Sequence, residues 1–105
     1  MTFTGNEDHS ISLNDATNFT AKYRESMGTD FLGAYFGKSA ISDILDQTGC
    51  VGIRIYNAID GDDNNCYVLV GVAADEKDMS DGVLAEISVG CPPNCPGDSP
   101  LAGTD

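Results

Sequence analysis

The sequence has few positively charged residues, no tryptophan and a single histidine. Only 5 Lys and Arg stand against 17 Asp and Glu, which gives a formal net charge of −12 over 105 residues. Nucleic acids require a basic patch on the proteins that bind them, and anionic membranes attract one, but no cluster of Lys and Arg occurs in this chain. We therefore expect neither nucleic acid nor membrane as a partner.

Long apolar runs are also missing. No stretch approaches the ~18 consecutive apolar residues of a membrane-spanning helix, and the opening MTFTGNEDHS lacks the basic and apolar regions of a secretory signal. The expected location is the cytoplasm. Four cysteines are many for a reducing compartment, so an extracellular location reached by a different export route stays open.

The side chains needed for catalysis are scarce. The only histidine, His9, lies in a polar segment at the amino terminus, so serine and cysteine nucleophiles have no well-placed base. No two of the 17 acids are marked by the sequence as a buried, differently tuned pair. We expect a protein that is not an enzyme and that needs no cofactor.

Two helices are predicted after a flexible segment of residues 1–10. Ser12 is placed to cap a helix that runs to about Met27, with apolar residues at three- and four-residue steps, and Gly28 suits its end. A connector over residues 29–38 leads to a second helix, at about Ser39–Gln47.

Three strands are predicted within residues 49–91, joined by two acidic turns. With Asp60–Asn65 as the first turn, Ile59 faces Cys66; with Asp75–Gly82 as the second, Cys66 faces Cys91. Both registers agree on one apolar face. The sequence therefore predicts an α+β fold of order ααβββ, with two helices on one face of an antiparallel meander, as a single domain over residues 11–95 and a disordered tail over 96–105.

The other face of this predicted sheet is not simply polar. It carries Tyr56, Tyr67 and Leu69, together with Arg54 paired to Glu86. The exposed apolar group is either a half-wet sheet face or a contact surface for another subunit or ligand. The open sheet edges offer a second route to association, which the charged turns would weaken.

The predicted register gathers Cys66, Cys91 and Cys95 at one end of the sheet and leaves Cys50 at the other, roughly 26 Å away at ~3.3 Å per residue. A site holding all four thiols is thereby excluded. Three interpretations remain for the cluster. They are a Cys66–Cys91 or Cys91–Cys95 disulfide, reduced structural thiols, and a metal site completed by His9 or an Asp of the first turn.

The first acidic turn has oxygen-bearing side chains at residues 60, 62 and 64, as at the start of an EF-hand loop. Asn65 stands where that loop needs glycine, and Gly71 where it needs glutamate. A hairpin turn is the better interpretation, with weak calcium binding as the alternative.

Several segments resemble a set of small, uncharacterised bacterial proteins. They are Phe36-Gly37-Lys38, GCVGIRIY at 49–56, VLVGV at 68–72, and Cys91-Pro92-Pro93 with Cys95. The resemblance implies no activity. From the residues themselves we expect a structural or interaction protein that forms homo-oligomers or binds another protein through the sheet face or edges, and that a disulfide near the carboxyl terminus stabilises. The alternative is a thiol-based metal- or redox-binding module at Cys66, Cys91 and Cys95.

Overall fold

A computed structural model describes residues 1–86 and 89–103 of the chain. Two helices and a three-stranded antiparallel sheet confirm the α+β class, and a small second sheet joins two short strands. The three-stranded sheet has the order β2-β3-β4, and the other pairs β1 with β5. In chain order the elements are α1 (Leu13–Met27), β1 (Gly33–Tyr35), α2 (Lys38–Leu45), β2 (Cys50–Ile59), β3 (Asn65–Ala73), β4 (Leu84–Ala85) and β5 (Val89–Cys91).

The chain forms two compact units. The first contains Met1–Glu7 and the described part of Tyr35–Ser88, and so holds α2 and the three-stranded sheet. The second contains Asp8–Ala34 and the described part of Val89–Asp105. There Arg24 of α1 donates a hydrogen bond from Nη1 to the carbonyl oxygen of Leu101, 2.8 Å away.

Helix α1 has the boundaries that its capping residues predict. The Ser12 hydroxyl accepts a hydrogen bond from the amide of Asp15 at 3.0 Å, and Gly28, at φ 83°, follows the last helical residue. The helix buries none of its residues completely, and Phe19 and Met27 of its apolar stripe stay more than half exposed.

Helix α2 packs against the three-stranded sheet. Ile44 is fully buried, and the space above Gly71 of β3 is filled by α2 and the residues that follow it. A Cβ atom at Gly71 would lie 2.8 Å from Nε2 of Gln47 and 3.3 Å from Cγ2 of Ile44. The Gln47 side chain also accepts a hydrogen bond from the amide of Val83 at 2.8 Å, which ties the second acidic connection to α2.

The predicted register between β2 and β3 is wrong by one residue, because Ile59 faces Asn65 and not Cys66. The cause is the turn. The amide of Asp60 donates to the carbonyl of Asn64 at 2.9 Å, and Asp63 has a left-handed backbone (φ 64°). The hairpin therefore closes through a tight three-residue loop, a common arrangement with a left-handed residue at its end, and Asn65 belongs to the strand.

A slip of one residue moves every side chain of a strand to the opposite face. Side chains of β2 and β3 that the predicted register places on one face of the sheet therefore lie on opposite faces. The helix face, against which α2 packs, carries Ile53 opposite Gly71 and Ile55 opposite Leu69. The opposite face, here called the arginine face, carries Arg54 opposite Val70 and Tyr56 opposite Val68.

The third predicted strand differs more strongly. Its described part divides between two sheets. Leu84 lies in β4 and faces Val70 of β3, whereas Cys91 lies in β5 and belongs to the β1–β5 sheet. Val72 forms a bridge with Asp78, so the connection itself runs beside β3 and shifts β4 along it. Cys66 and Cys91 are therefore not strand neighbours. Ile87 and Ser88, also part of the predicted strand, lie outside the described residues.

The sequence does not predict the second sheet, because the residues of β1 lie within the predicted connector over residues 29–38. The amide of Leu32 donates to the carbonyl of Cys91 at 2.7 Å, next to the β1–β5 pair. This strand is three residues long and includes a glycine, so it leaves almost no period-two pattern in the sequence.

Candidate functional site: the free edge of strand β2

The three predicted interface residues do not form one surface. Tyr56 lies on the arginine face, whereas Tyr67 and Leu69 belong to the helix face, because β2 and β3 pair in the shifted register. Leu69 is also only 3% exposed. It contributes to the core of the first unit, so a surface made of these three side chains is excluded.

A different surface emerges at the outer side of β2. This strand is the edge of its sheet, and no strand in the described part of the chain pairs with it on that side. Its beginning is covered, since a Cβ at Gly5 of the amino-terminal segment would lie 2.7 Å from the carbonyl oxygen of Val51. Its end is exposed, with Ile55 at 61% and Ile59 at 69%. We call the five residues Ile55–Ile59 the free edge.

Backbone groups of the free edge point alternately inward and outward. The hydrogen bond from Asp60 to Asn64 marks that pair as hydrogen-bonded, and in an antiparallel ladder such pairs alternate with pairs whose amide and carbonyl groups face away. Even-numbered residues of this part of β2 therefore bond to β3. Ile55, Asn57 and Ile59 direct their amide and carbonyl groups out of the sheet, where a further strand can bind them.

A polar cluster supports the arginine face beside the free edge. Asp78 accepts hydrogen bonds from both Arg54 and Tyr56, and Nη1 of Arg54 also donates to the carbonyl of Glu76 at 3.2 Å. The Arg54 guanidinium lies 6.0 Å from the centre of the Phe3 ring. The predicted partner of Arg54, Glu86, is thus replaced by Asp78, which the register shift and the course of the second connection bring within reach.

The pKa values in this cluster move away from those useful for proton transfer. The hydrogen bond that Tyr56 donates to Asp78 raises the pKa of Tyr56. The same hydrogen bond, followed by that from Arg54, lowers the pKa of Asp78. At neutral pH the phenol is therefore a fixed donor and the carboxylate a fixed acceptor. This arrangement positions β2 and the second connection and does not resemble a general acid and base.

The cysteines form a pair and two single thiols. The Sγ atoms of Cys91 and Cys95 lie at disulfide distance, with Cα atoms 4.7 Å apart. Cys66 is buried, and its burial raises the pKa of the thiol. Cys50 starts β2 at the opposite end of the β2–β3 ladder from Cys66, as predicted, and its thiol donates to the carbonyl of Gly52 at 3.2 Å.

The sequence offers two candidate metal sites, the cysteine cluster and the first acidic turn. Within residues 1–86 and 89–103, no group of three or more His, Cys, Asp and Glu side chains is close enough to hold a metal ion. His9 is exposed. In the first acidic turn, one carboxylate oxygen of Asp60 accepts hydrogen bonds from the amides of Asp62 (2.8 Å) and Asn64 (3.0 Å), so this oxygen supports the hairpin turn.

Comparisons with protein-family models, curated proteins and solved structures find no match to this chain. The resemblance to small bacterial proteins therefore stays a prediction. Among the described residues, no helix is both long enough and apolar enough to cross a lipid bilayer.

Proposed function

We propose that this chain is a non-catalytic interaction protein that self-associates by adding a strand to the free edge of β2. One observation carries the proposal. Within five consecutive residues at the edge of a sheet, Ile55, Asn57 and Ile59 direct their backbone donors and acceptors outward, and the side chains of Ile55 and Ile59 are exposed.

Edge strands are normally protected from pairing by prolines, lysines, inward charges or short length. The free edge has none of these. It contains no proline and no charged residue, and it belongs to a strand of 10 residues. The charged turn at its end, which begins with Asp60, limits how far a partner strand can extend but leaves Ile55–Ile59 accessible.

The net charge opposes association of identical chains. Each copy carries −12, so two copies repel at low ionic strength. Added salt screens this repulsion while leaving backbone hydrogen bonds and apolar contacts in place. Association through the free edge therefore strengthens as salt concentration rises, whereas association driven by opposite charges would weaken.

The test uses two variants of Asn57. Asn57→Pro removes an outward amide without removing a bond to β3, while Asn57→Ala changes the side chain but keeps the amide. We expect the wild type and Asn57→Ala to associate in sedimentation equilibrium at moderate salt and Asn57→Pro to stay monomeric. Circular dichroism and thermal melting establish that Asn57→Pro is folded.

Two results would contradict the proposal. One is a wild type that remains monomeric at its highest soluble concentration across the salt range. The other is a folded Asn57→Pro protein that associates as tightly as Asn57→Ala.

We also propose that the Cys91–Cys95 pair is oxidised in the native protein and stabilises the carboxyl-terminal segment, by about 2 kcal/mol for such a short loop. Denatured protein without reductant should then present two reactive thiols, Cys50 and Cys66, and reductant should raise the number to four. Four reactive thiols before reduction would show that the disulfide is absent, and the thiol-based module would again be the alternative function.

A further inference from the structure

We infer that the strand added to the free edge is β2 of a second copy, antiparallel and in one register, with the two-fold axis passing beside Asn57. This inference rests on the proposed function and specifies its partner. In this register Asn57 faces Asn57, and residue numbers in each facing pair add up to 114.

Backbone geometry limits the choice of registers. Outward amide and carbonyl groups belong to the odd-numbered residues of the free edge, as the Asp60–Asn64 hydrogen bond establishes. Two such edges exchange hydrogen bonds only where an odd residue faces an odd residue. Every register in which Ile55 faces an even residue is therefore excluded.

Apolar side chains select among the registers that remain. With Asn57 at the axis, Ile55 of each copy stands directly opposite Ile59 of the other. These are the two most exposed apolar side chains of β2, at 61% and 69%. Both project from the helix face, so each contact buries one against the other. The neighbouring registers set one of the two isoleucines opposite Asn57.

Charge complementarity points to the same register. On the arginine face, Arg54 of each copy comes opposite Asp60 of the other, so the only charged residue of β2 meets the carboxylate that starts the turn. The side chain of Arg54 is 33% exposed although it also contacts Asp78. Two symmetric pairs of opposite charge form in a protein whose net charge is strongly negative.

This register also avoids the covered part of the edge. Ile53 comes opposite Gly61 in the turn, so facing residues run from Arg54 to Asp60 and stop before Val51, where the amino-terminal segment lies. The product is a continuous six-stranded sheet with the order β4-β3-β2-β2-β3-β4. A two-fold contact uses the same edge in both copies, so association ends at a dimer.

The test places charges at the two isoleucine positions. Ile55→Lys, Ile59→Glu and Ile59→Lys each leave an isoleucine opposite a charge, and each variant alone should dimerise about tenfold more weakly than the wild type. In an equimolar mixture of Ile55→Lys with Ile59→Glu, one facing pair becomes Lys with Glu and the other stays Ile with Ile. We expect this mixture to associate at least about threefold more tightly than either variant alone.

The matched control is the mixture of Ile55→Lys with Ile59→Lys, which sets like charges opposite each other and should show no recovery. All three substitutions are at exposed positions, and equal melting temperatures of the variants will show that folding is unchanged. Sedimentation equilibrium of labelled variants measures hetero- and homodimers separately.

The outcomes separate the register from the proposed function. Recovery in the first mixture alone supports the register. Weakened variants without recovery overturn the register while leaving association through the free edge in place. Variants that dimerise as tightly as the wild type overturn both, and Asn57→Pro would then also be expected to dimerise.

Discussion

The two halves of β2 differ sharply although they are continuous in sequence. From Cys50 to Arg54 the strand has α2 on one face, Asp78 against Arg54 on the other, and the amino-terminal segment at its edge beside Val51. From Ile55 to Ile59 it has β3 on one side and exposed isoleucines on the helix face. On the arginine face Tyr56 donates to Asp78 and still keeps an exposed side chain.

We propose that this difference separates the residues that stabilise the fold from those that take part in association. Removing apolar side chains from the covered half should cost folding free energy, whereas the same change in the free half should cost association and leave folding almost unchanged. Three substitutions test whether the two halves are as distinct as the contacts indicate.

The largest effect is expected from Ile44→Ala in α2, which removes a fully buried side chain from above the covered half. Large-to-small substitutions at such sites cost about 2–5 kcal/mol. Ile59→Ala is the matched control in the free half and should stay within about 0.5 kcal/mol. Urea denaturation, at a protein concentration that keeps the chain monomeric, measures the free energy of unfolding of both variants. Equal losses of stability would contradict the distinction between the two halves of β2.

A smaller loss is expected from Gly71→Ala, because the new methyl group meets Gln47, Cys50 and Ile44 at 2.8–3.3 Å. Overpacking of this kind costs about 1–3 kcal/mol. At Gly52, by contrast, a Cβ meets no atom within 4 Å. Gly52→Ala should therefore be tolerated, and a comparison of the two urea midpoints gives the result. A Gly71→Ala protein as stable as Gly52→Ala would show that α2 is not closely packed there.

The smallest effect, and one that depends on pH, is expected from Asp78→Asn. The folded pKa of Asp78 is lowered by its hydrogen bonds from Tyr56 and Arg54. Its carboxylate therefore stabilises the fold above the ordinary aspartate pKa of about 4, and this contribution is lost as the pH falls through the lower, folded value.

The difference in stability between wild type and Asp78→Asn should accordingly be present at neutral pH and shrink in acid. Asp62→Asn makes the same change of charge at an exposed turn residue and serves as the control. If Asp78→Asn changed the free energy of unfolding at pH 7 no more than Asp62→Asn does, the cluster would not contribute to the stability of the covered half.

Much of the fold could be predicted because its signals are local. The cap at Ser12, the glycine at 28 and the spacing of apolar residues give α1, and period-two alternation gives the β2–β3 hairpin. β1 and the division of the third strand depend on pairing between distant residues. Such pairing leaves little trace in segments of two or three residues.

The candidate site was missed because of one residue in a turn. A six-residue turn places Tyr56 beside Leu69 on one face. Leu69 is then predicted at the surface, although it belongs to the core. The missing signal was available in Asp60-Gly61-Asp62-Asp63-Asn64. An Asp whose side chain can bond to amides two and four residues later, followed by an Asp able to adopt a left-handed conformation, favours the tighter loop. Asp78, by contrast, lies in a connection whose course the sequence does not specify.

Amide hydrogen exchange of the free edge, measured at several protein concentrations, shows directly whether this edge is the binding surface. The amides of Tyr56 and Ala58 bond to β3 and should be protected at every concentration. Those of Ile55, Asn57 and Ile59 should exchange rapidly in dilute solution and become protected as the dimer forms. Exchange at these three positions that remains rapid in concentrated solution would contradict the claim that the free edge is the binding surface.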